Sequence, residues 1–485
     1  MASTAPVYIV LTVYVLLMAS VTFLARRQNR AAAATAGDAK AVSTHYLAEK
    51  GFGVLVLSMT MMASIFSGYT VVGVPNEASI NGFDALRWIP LISVIGIGMT
   101  MLNPRLRRLS VVRNYESPGD FIMDRYNSVP MKWIATLSMC LPQVLYLAVQ
   151  FHALASLLHT LTNDELSFNV MVPISMLLLL CFEYLGGMRS VAYTDAVQST
   201  FMVLLFLVTP LAIAVKYGGF VGQVQSPAVD GGVCSNSVED ARGRPGFGCL
   251  NYASSKVNNV TVPAFYLRTP STITNVNNLI FIWSGLSFPL NPHVMIRVFM
   301  SRVDKDIKFV TRLIYVMGIF AQMCGVIIGV TVLSNEGTFA PDNQKIKDGF
   351  FKILREWQND SNFFMQAIVY CMILAAVAGI MSTADSALIG VSNTISVDLY
   401  RGWYKPNASG KDTIHFGKFV SVVTAAMAGG VAVYLQASAV ANGESVSYGN
   451  VITFQSGKCA SACSCVHVPG TVVLVAILRI KLLLN

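Results

Sequence analysis

Long apolar runs separated by short polar loops make up most of this 485-residue chain. A helix that crosses a bilayer needs about 20 mostly apolar residues, and the runs meet that length. They predict membrane-spanning helices at 6–25, 52–75, 84–103, 129–158, 169–185, 190–215, 276–299, 309–333, 363–398 and 413–436, with a further apolar segment at 467–484. The pattern therefore predicts an all-α polytopic membrane protein that lies in a lipid bilayer.

Composition supports this fold class and excludes others. Apolar residues make up 54% of the chain and charged residues only 12%, whereas soluble domains carry roughly 25% charged residues. The net charge of +9 does not indicate nucleic acid, because the positive residues fall in short loops and form no basic stripe with exposed aromatic residues. The six histidines form no ligand cluster or triad-like arrangement, so an enzyme is not expected.

Charge in the loops predicts the orientation. Positive residues collect in alternate loops, which identifies those loops as cytoplasmic. They are Arg26, Arg27, Arg30 and Lys50; Arg105, Arg107, Arg108 and Arg113; Arg189; Arg297, Arg302, Lys305 and Lys308; and Arg401, Lys405 and Lys411. Acidic residues such as Glu77, Asp84, Asp164 and Glu165 lie in the other set. We therefore expect the N-terminus outside the cell, in a protein of the plasma membrane.

The long loop at 216–275 is expected on the exterior. It contains Cys234 and Cys249, which are candidates for a disulfide in an oxidising environment. Two cysteines alone do not fix a pairing, so the disulfide is a hypothesis.

The second apolar run contains polar and flexible residues at its centre. Hydroxyls and a glycine occur within Ala63–Tyr69, and Gly73 and Pro75 follow. A helix interrupted at that depth leaves carbonyls that lipid cannot satisfy, and carbonyl oxygens suit a small hard cation such as sodium. The alternative is an intact helix whose small residues pack closely against a neighbouring helix.

A second polar stretch lies in the run at 363–398. Gly379–Thr383 places a glycine and two adjacent hydroxyls at mid-depth, and Asp385 and Ser386 follow. Intramembrane carboxylates are functional candidates by default. Hydroxyls from this helix and carbonyls from the broken one could together form a five-oxygen ion site. The alternative is that the hydroxyls bond to carbonyls of their own helix.

A third stretch, Gly186–Ser199, opens a span from the cytoplasmic side. Its two glycines allow a tight bend, and Asp195 and Gln198 lie about one turn apart on one helix face. A carboxylate at this position could receive a cation that leaves towards the cytosol. It could equally complement the positive end of the helix dipole.

At these residues the chain resembles the sodium/solute symporter family, which has the LeuT-type fold. Gly186–Gln198 is similar to the signature of that family, with a glycine pair, then Thr-Asp and then Gln. The other matching stretches are Ala63–Pro75, Met381–Thr383, Pro292-His293 with Arg297, and Ser396–Tyr400. The likeness extends over roughly residues 45–440.

The resemblance implies a set of site residues. Sodium, the co-transported ion, would be bound by the carbonyls of Ala63, Phe66 and Gly379 and the hydroxyls of Ser382 and Thr383. Asp195 would assist the release of sodium. The substrate would be bound by Ser67, Tyr69, Tyr146, Gln150, Trp283 and Phe288. An interhelical hydrogen bond is an equally good interpretation of Gln150.

The resemblance also implies a domain organisation. Residues 1–51 would form a leading helix and a cytoplasmic loop, 52–215 a first five-helix repeat and 216–275 an extracellular loop. Residues 276–485 would form a second, inverted repeat. Its end is expected either to diverge or to be truncated, because Lys458 and the cysteines Cys459, Cys463 and Cys465 interrupt the apolar pattern where a tenth core helix belongs.

The function implied is sodium-coupled import of a small organic solute by alternating access. The solute would be an amino acid such as proline, a monocarboxylate or a similar molecule. One alternative is a solute sensor that retains the fold but does not transport, and proton coupling is another. The sequence does not indicate an oligomeric state.

Overall fold

The computed structural model describes residues 5–36, 41–162, 167–217, 255–257, 260–262, 282–334, 349–360 and 362–441. Within these ranges the chain is almost entirely helical. Seven helices there are long and apolar enough to cross a membrane, and one bent helix pair raises the number to eight. The prediction of an all-α membrane protein is confirmed. Cys234 and Cys249, and the divergent segment after residue 441, lie outside the described residues.

The first half of the chain contains eight α-helices. They are α1 (Ala5–Ala36), α2 (Ala41–Leu47), α3 (Val54–Ile65), α4 (Val74–Asn81), α5 (Trp88–Val112), α6 (Pro118–Tyr126), α7 (Val129–Leu161) and α8 (Phe168–Tyr217). A π-helical turn at Tyr69–Gly73 precedes α4, and short 3-10 turns lie at Ala48–Lys50 and Gly82–Arg87.

The second half follows a small antiparallel hairpin of β1 (Ser255–Val257) and β2 (Val260–Val262), in which Ser255 pairs with Val262. The helices are α9 (Pro292–Phe299), α10 (Asp304–Ser334), α11 (Gly349–Gln358), α12 (Phe363–Thr394) and α13 (Gly410–Ala441). A 3-10 turn at Gly285–Leu290 precedes α9, and π-helical turns at Ile395–Tyr404 extend α12.

The predicted interruption of the second span is present. α3 ends at Ile65, Phe66 is extended (φ −90°, ψ 99°), and the half that resumes at Tyr69 is bent by 58° from α3. Gly68 lies at this bend directly against α12. A Cβ atom on Gly68 would stand 2.2 Å from Cγ1 of Ile380. The unwound segment can therefore approach α12 only because residue 68 has no side chain.

A second interruption, which the sequence analysis did not predict, lies in the span at 276–299. The 3-10 turn ends at Leu290, Asn291 is extended (φ −61°, ψ 139°), and α9 starts at Pro292. Proline suits the first position of a helix, because its missing N–H would have no intrahelical acceptor there. The break was missed because an apolar run with two prolines also fits a kinked continuous span.

The glycine pair before Asp195 produces the predicted bend. Gly187 has φ 61° and ψ −166°, which interrupts the helical run of α8 and separates the spans predicted at 169–185 and 190–215. Only glycine readily adopts this conformation. Gly187 also lies close to α2, since a Cβ atom on it would stand 2.7 Å from Nδ1 of His45.

The centre of the packed bundle is α12. Every residue of Ala375–Thr394 is buried, including the hydroxyls at positions 382 and 383. Helices α3, α7, α8 and α9 all pack against it. The polar residues predicted to bind an ion therefore lie in the interior of the protein and not on its lipid-facing surface.

We expect Gly187→Ala to destabilise the protein by at least about 1–3 kcal/mol, because alanine would be held in a backbone region that is essentially restricted to glycine. Thermal unfolding in detergent would measure the loss. Gly430→Ala is the matched control, since nothing lies within 4 Å of a Cβ atom there. Equal unfolding temperatures for the two variants would contradict the strain assigned to Gly187.

Candidate ion and solute site

Four oxygens from two helices meet at the break after α3. Oγ of Ser382 lies 3.1 Å from the carbonyl oxygen of Ala63 and 3.3 Å from that of Gly379. Oγ1 of Thr383 lies 3.2 Å and 2.9 Å from the same two carbonyls. Each hydroxyl carries one hydrogen and cannot donate fully to both carbonyls. The cluster therefore offers lone pairs that a small cation could accept.

The structure thus brings together four of the five predicted ion ligands. The contacts to Gly379 are the back-bonds to the same helix that the alternative interpretation expects, whereas those to Ala63 cross between helices. The back-bonds of the alternative interpretation are therefore present together with contacts between helices, and ion binding by these oxygens stays a prediction. Phe66, the fifth predicted ligand, occupies the extended position at the break. The role of its carbonyl stays a prediction.

Asp195 forms a buried ion pair about one helical turn from this cluster. Nη2 of Arg297 lies 2.8 Å from Oδ2 of Asp195, and both side chains are 0% exposed. The same nitrogen donates to Oγ of Ser386 at 2.6 Å. Nε of Arg297 donates to Thr60, at 3.0 Å to the hydroxyl and 3.1 Å to the carbonyl. The pair is therefore bonded to α3, α8 and α12 at once.

This arrangement corrects one sequence prediction. Arg297 was counted among the cytoplasmic loop charges, but it lies fully buried on α9. The positive-inside rule uses only the positive charges near the ends of apolar runs, so it contains no information about an acidic partner on another helix. An arginine inside a span and a carboxylate inside another span would have been the available signal, because intramembrane charges usually pair.

Asp385 lies in the same polar region. It is buried and within electrostatic range of Asp195, Glu183 and Arg297. Its Oδ1 has no hydrogen-bond partner among the described residues. On α1, Tyr14 is also near both aspartates, and its hydroxyl accepts a hydrogen bond from Nε2 of Gln198 at 2.8 Å. The leading helix therefore contributes to the polar region.

Three of the predicted substrate residues lie next to the oxygen cluster. The hydroxyl of Tyr146 interacts with the side chains of Ser67 and Thr383. One turn along α7, Gln150 is 0% exposed, and its Oε1 would be 3.1 Å from a Cβ atom on Gly68. Neither amide atom of Gln150 has a hydrogen-bond partner within the described ranges. The interhelical bond considered for Gln150 is not present there.

Tyr69 has a different environment. Its hydroxyl donates to Oε2 of Glu77 at 2.6 Å, and Nε1 of Trp88 donates to the same oxygen at 2.9 Å. Arg87 pairs with the other oxygen at 2.7 Å. The hydroxyl of Tyr69 is therefore engaged by Glu77, and the contribution left to Tyr69 in a solute site is its ring.

The last two predicted substrate residues, Phe288 and Trp283, have different environments. The ring of Phe288 packs edge-on against the ring of His293, with centroids 6.0 Å apart, and the ring of Tyr146 stacks on His293 at 6.3 Å. Trp283, in contrast, is 63% exposed. Phe288 and Tyr146 are therefore linked through the ring of His293, whereas Trp283 is largely on the surface of the described part of the chain.

Sequence reasoning also missed residues that complete the polar network. Thr60 donates to Asp195 and accepts from Arg297. Ser386 accepts from Arg297 and donates to the carbonyl of Ser382 at 2.6 Å. A single buried hydroxyl in an apolar helix is common, so position alone could not mark Thr60. Ser386 could have been found from its helical spacing, one turn after Ser382.

An oxygen cluster at a helix break, inside a bundle of apolar membrane-spanning helices, is the kind of site at which secondary active transporters bind a coupling ion. The family comparison agrees with this class. The chain belongs to the sodium:solute symporter family, whose model matches residues 45–449. Sodium is accordingly the co-transported ion.

Individual relatives are similar at low identity. The sodium/proline symporter of Haemophilus influenzae is 23% identical over 80% of this chain and 71% of its own length. The human sodium-coupled monocarboxylate transporter 2 is 30% identical over 37% of this chain and 28% of its own length. A solved structure of a sodium-coupled sialic acid symporter superposes with a TM-score of 0.66 at 16% identity, over 89% of this chain and 83% of that one. That likeness confirms the LeuT-type fold.

We expect Asp195→Leu and Arg297→Met each to lower stability by about 3–5 kcal/mol, because each leaves one buried charge without its partner. The double variant should lose less than the sum, since it leaves neither charge. Thermal unfolding in detergent would measure all three.

The matched control is the double-mutant cycle at Lys405 and Asp412, an ion pair of 3.6 Å whose side chains are 54% and 49% exposed. Exposed ion pairs contribute little to stability, so the losses of stability caused by Lys405→Met and Asp412→Leu should be additive. Additive losses at Asp195 and Arg297 as well would contradict the buried pairing.

Proposed function

We propose that this chain imports a small organic solute together with sodium, and that the solute is an amino acid such as proline, a monocarboxylate or a similar molecule. The observation that carries the proposal is the cluster of Ala63, Gly379, Ser382 and Thr383 oxygens between the broken helix and α12. Family membership supports sodium coupling, and the named substrates of the relatives support the range of solutes.

In this proposal sodium binds to these four oxygens and to the carbonyl of Phe66. Carbonyls at the C-terminal end of a half-helix favour a cation, because the negative end of the helix dipole points at it. The bound ion would hold the break after α3 against α12. Binding of the solute beside the same break would then be stronger when sodium is present.

The proposed solute site lies on the other side of the break. Tyr146 interacts with both Ser67 and the ion ligand Thr383, so it would contact the solute and the ion site together. Gln150 would donate a hydrogen bond to the solute, and Phe288 and the ring of Tyr69 would form apolar walls. We place Trp283 outside this site because of its exposure.

Alternating access completes the cycle. Rocking of the helices exposes both sites to the cytosol, and sodium leaves past Asp195. The two breaks support a pair of repeats, the first at 52–215 and the second at 276–485. One break follows α3 and the other follows the 3-10 turn at Gly285–Leu290, so each lies near the start of one repeat, and such transporters break corresponding helices. The loop charges other than Arg297 support an N-terminus outside the plasma membrane.

The substrate is tested by measuring uptake into proteoliposomes with and without an inward sodium gradient. A panel of radiolabelled proline, choline, short monocarboxylates, sugars and urea covers the solute classes. Uptake of one class of solute that requires an inward sodium gradient supports the proposal. Uptake driven by a proton gradient alone would show that the coupling ion is the proton and not sodium. Binding of a solute without sodium-driven uptake would instead favour a sensor.

We expect Ser382→Ala/Thr383→Ala to abolish the sodium dependence of uptake, because it removes two of the four clustered oxygens. The measurement is the initial rate of uptake as a function of sodium concentration. Thr394→Ala is the control, since Thr394 on α12 makes the same kind of back-bond, at 2.8 Å to Gly390, away from the cluster. Unchanged sodium dependence in the double variant would show that the ion site is misassigned.

A further inference from the structure

His293 lies in the first turn of α9, just after the break at Asn291 and next to the proposed solute site. The residue is 1% exposed, and its ring contacts both the stacked ring of Tyr146 and the edge-on ring of Phe288. Its backbone packs directly on α12, where a Cβ atom on Gly390 would be 3.0 Å from the nitrogen of His293. The position of the imidazole is therefore fixed by three neighbouring elements.

Both ring nitrogens of His293 lack a hydrogen-bond partner among the described residues. A buried polar group without a partner is destabilising, because it has lost its hydrogen bonds to water and gained none in return. The amide of Gln150 is in the same situation. Tyr146, whose ring stacks on His293, lies one turn before Gln150 on α7. Two orphaned polar side chains thus flank a tyrosine that already contacts the proposed solute and ion sites.

The charges around this region favour a negative group on the solute. The nearest arginine, Arg297, is paired with Asp195. Glu77 is engaged by Tyr69, Trp88 and Arg87. Asp385 has an unpartnered Oδ1, but its charged neighbours are Asp195, Glu183 and Arg297. Within the described ranges no carboxylate contacts His293, Gln150 or Tyr146, so a cationic solute would lack a counter-charge. Bound sodium adds one positive charge nearby, which an anionic group would complement.

We propose that His293 donates a hydrogen bond to a carboxylate of the transported solute and thereby selects carboxylate-bearing solutes over neutral analogues. Gln150 binds the same solute from the other side of Tyr146, and the rings of Tyr146 and Phe288 pack on its apolar part. This inference rests on the proposed function, to which it adds the residue that recognises the carboxylate of the solute.

The experiment uses two matched pairs of probes, L-proline with L-prolinamide and L-lactate with L-lactamide, in sodium-driven proteoliposome uptake. Each pair differs only in the carboxylate. Wild-type protein should take up at least one of the acids, and its amide should compete poorly. In His293→Phe, which keeps an aromatic ring but has no donor, we expect the KM for that acid to rise about 10- to 100-fold, as expected for the loss of a hydrogen bond to a charged group.

The discrimination between acid and amide separates this role from a structural one. We expect His293→Phe to lose that discrimination and His293→Gln, which keeps an N–H donor, to recover most of it. His415→Phe is the matched control, because His415 is exposed on α13. An unchanged KM in His293→Phe, or equal loss for acid and amide, would overturn the inference.

The same uptake measurements distinguish failure of this inference from failure of the proposed function. Sodium-driven uptake of a neutral or cationic solute, without uptake of either acid, would overturn the carboxylate assignment and leave sodium symport standing. Absence of sodium-driven uptake for every solute of the panel would overturn both.

Discussion

Backbone carbonyls exposed by a broken helix need a partner wherever lipid and apolar side chains surround them. This constraint governs the centre of the molecule. The helix breaks at Phe66, and the hydroxyls of Ser382 and Thr383 lie within 3.2 Å of the carbonyl of Ala63 at the end of α3. α12 must remain close for these contacts to persist, and it can do so because Gly68 has no side chain. An ion at this point would strengthen contacts that the break already requires.

The short helix α9 connects the two sides of the site. His293 is at its start and Arg297 lies one turn later, and Nη1 of Arg297 donates to the carbonyl of His293 at 2.8 Å. One end of α9 therefore faces the proposed solute, while the other end holds Asp195. A displacement of this two-turn helix would move both groups together, which provides a physical route from solute binding to the ion-release side.

The sequence predicted the features that depend only on neighbouring residues in the chain. The interruption at Ala63–Tyr69 was visible because hydroxyls and glycine within an apolar run are unusual, and the bend at Gly187 was visible from the glycine pair. The break at Asn291 was not visible, because an apolar run with two prolines also fits a kinked continuous span. The burial of Arg297 was not visible either, because it depends on Asp195 on another helix. The engagement of Tyr69 by Glu77 and the exposure of Trp283 likewise follow from packing, which a motif match does not contain.

The buried pair of Asp195 and Arg297 constrains how sodium could leave by the proposed route. An unpaired carboxylate in this low-dielectric interior would hold a cation strongly and slow its release. Here the guanidinium already neutralises Asp195, and Ser386 and Thr60 hold it in place. Sodium arriving from the Ser382 side would meet a carboxylate whose charge is shared, so its stay there would be brief. After it leaves, Arg297 remains as the counter-ion, and no buried carboxylate at position 195 is left unpaired.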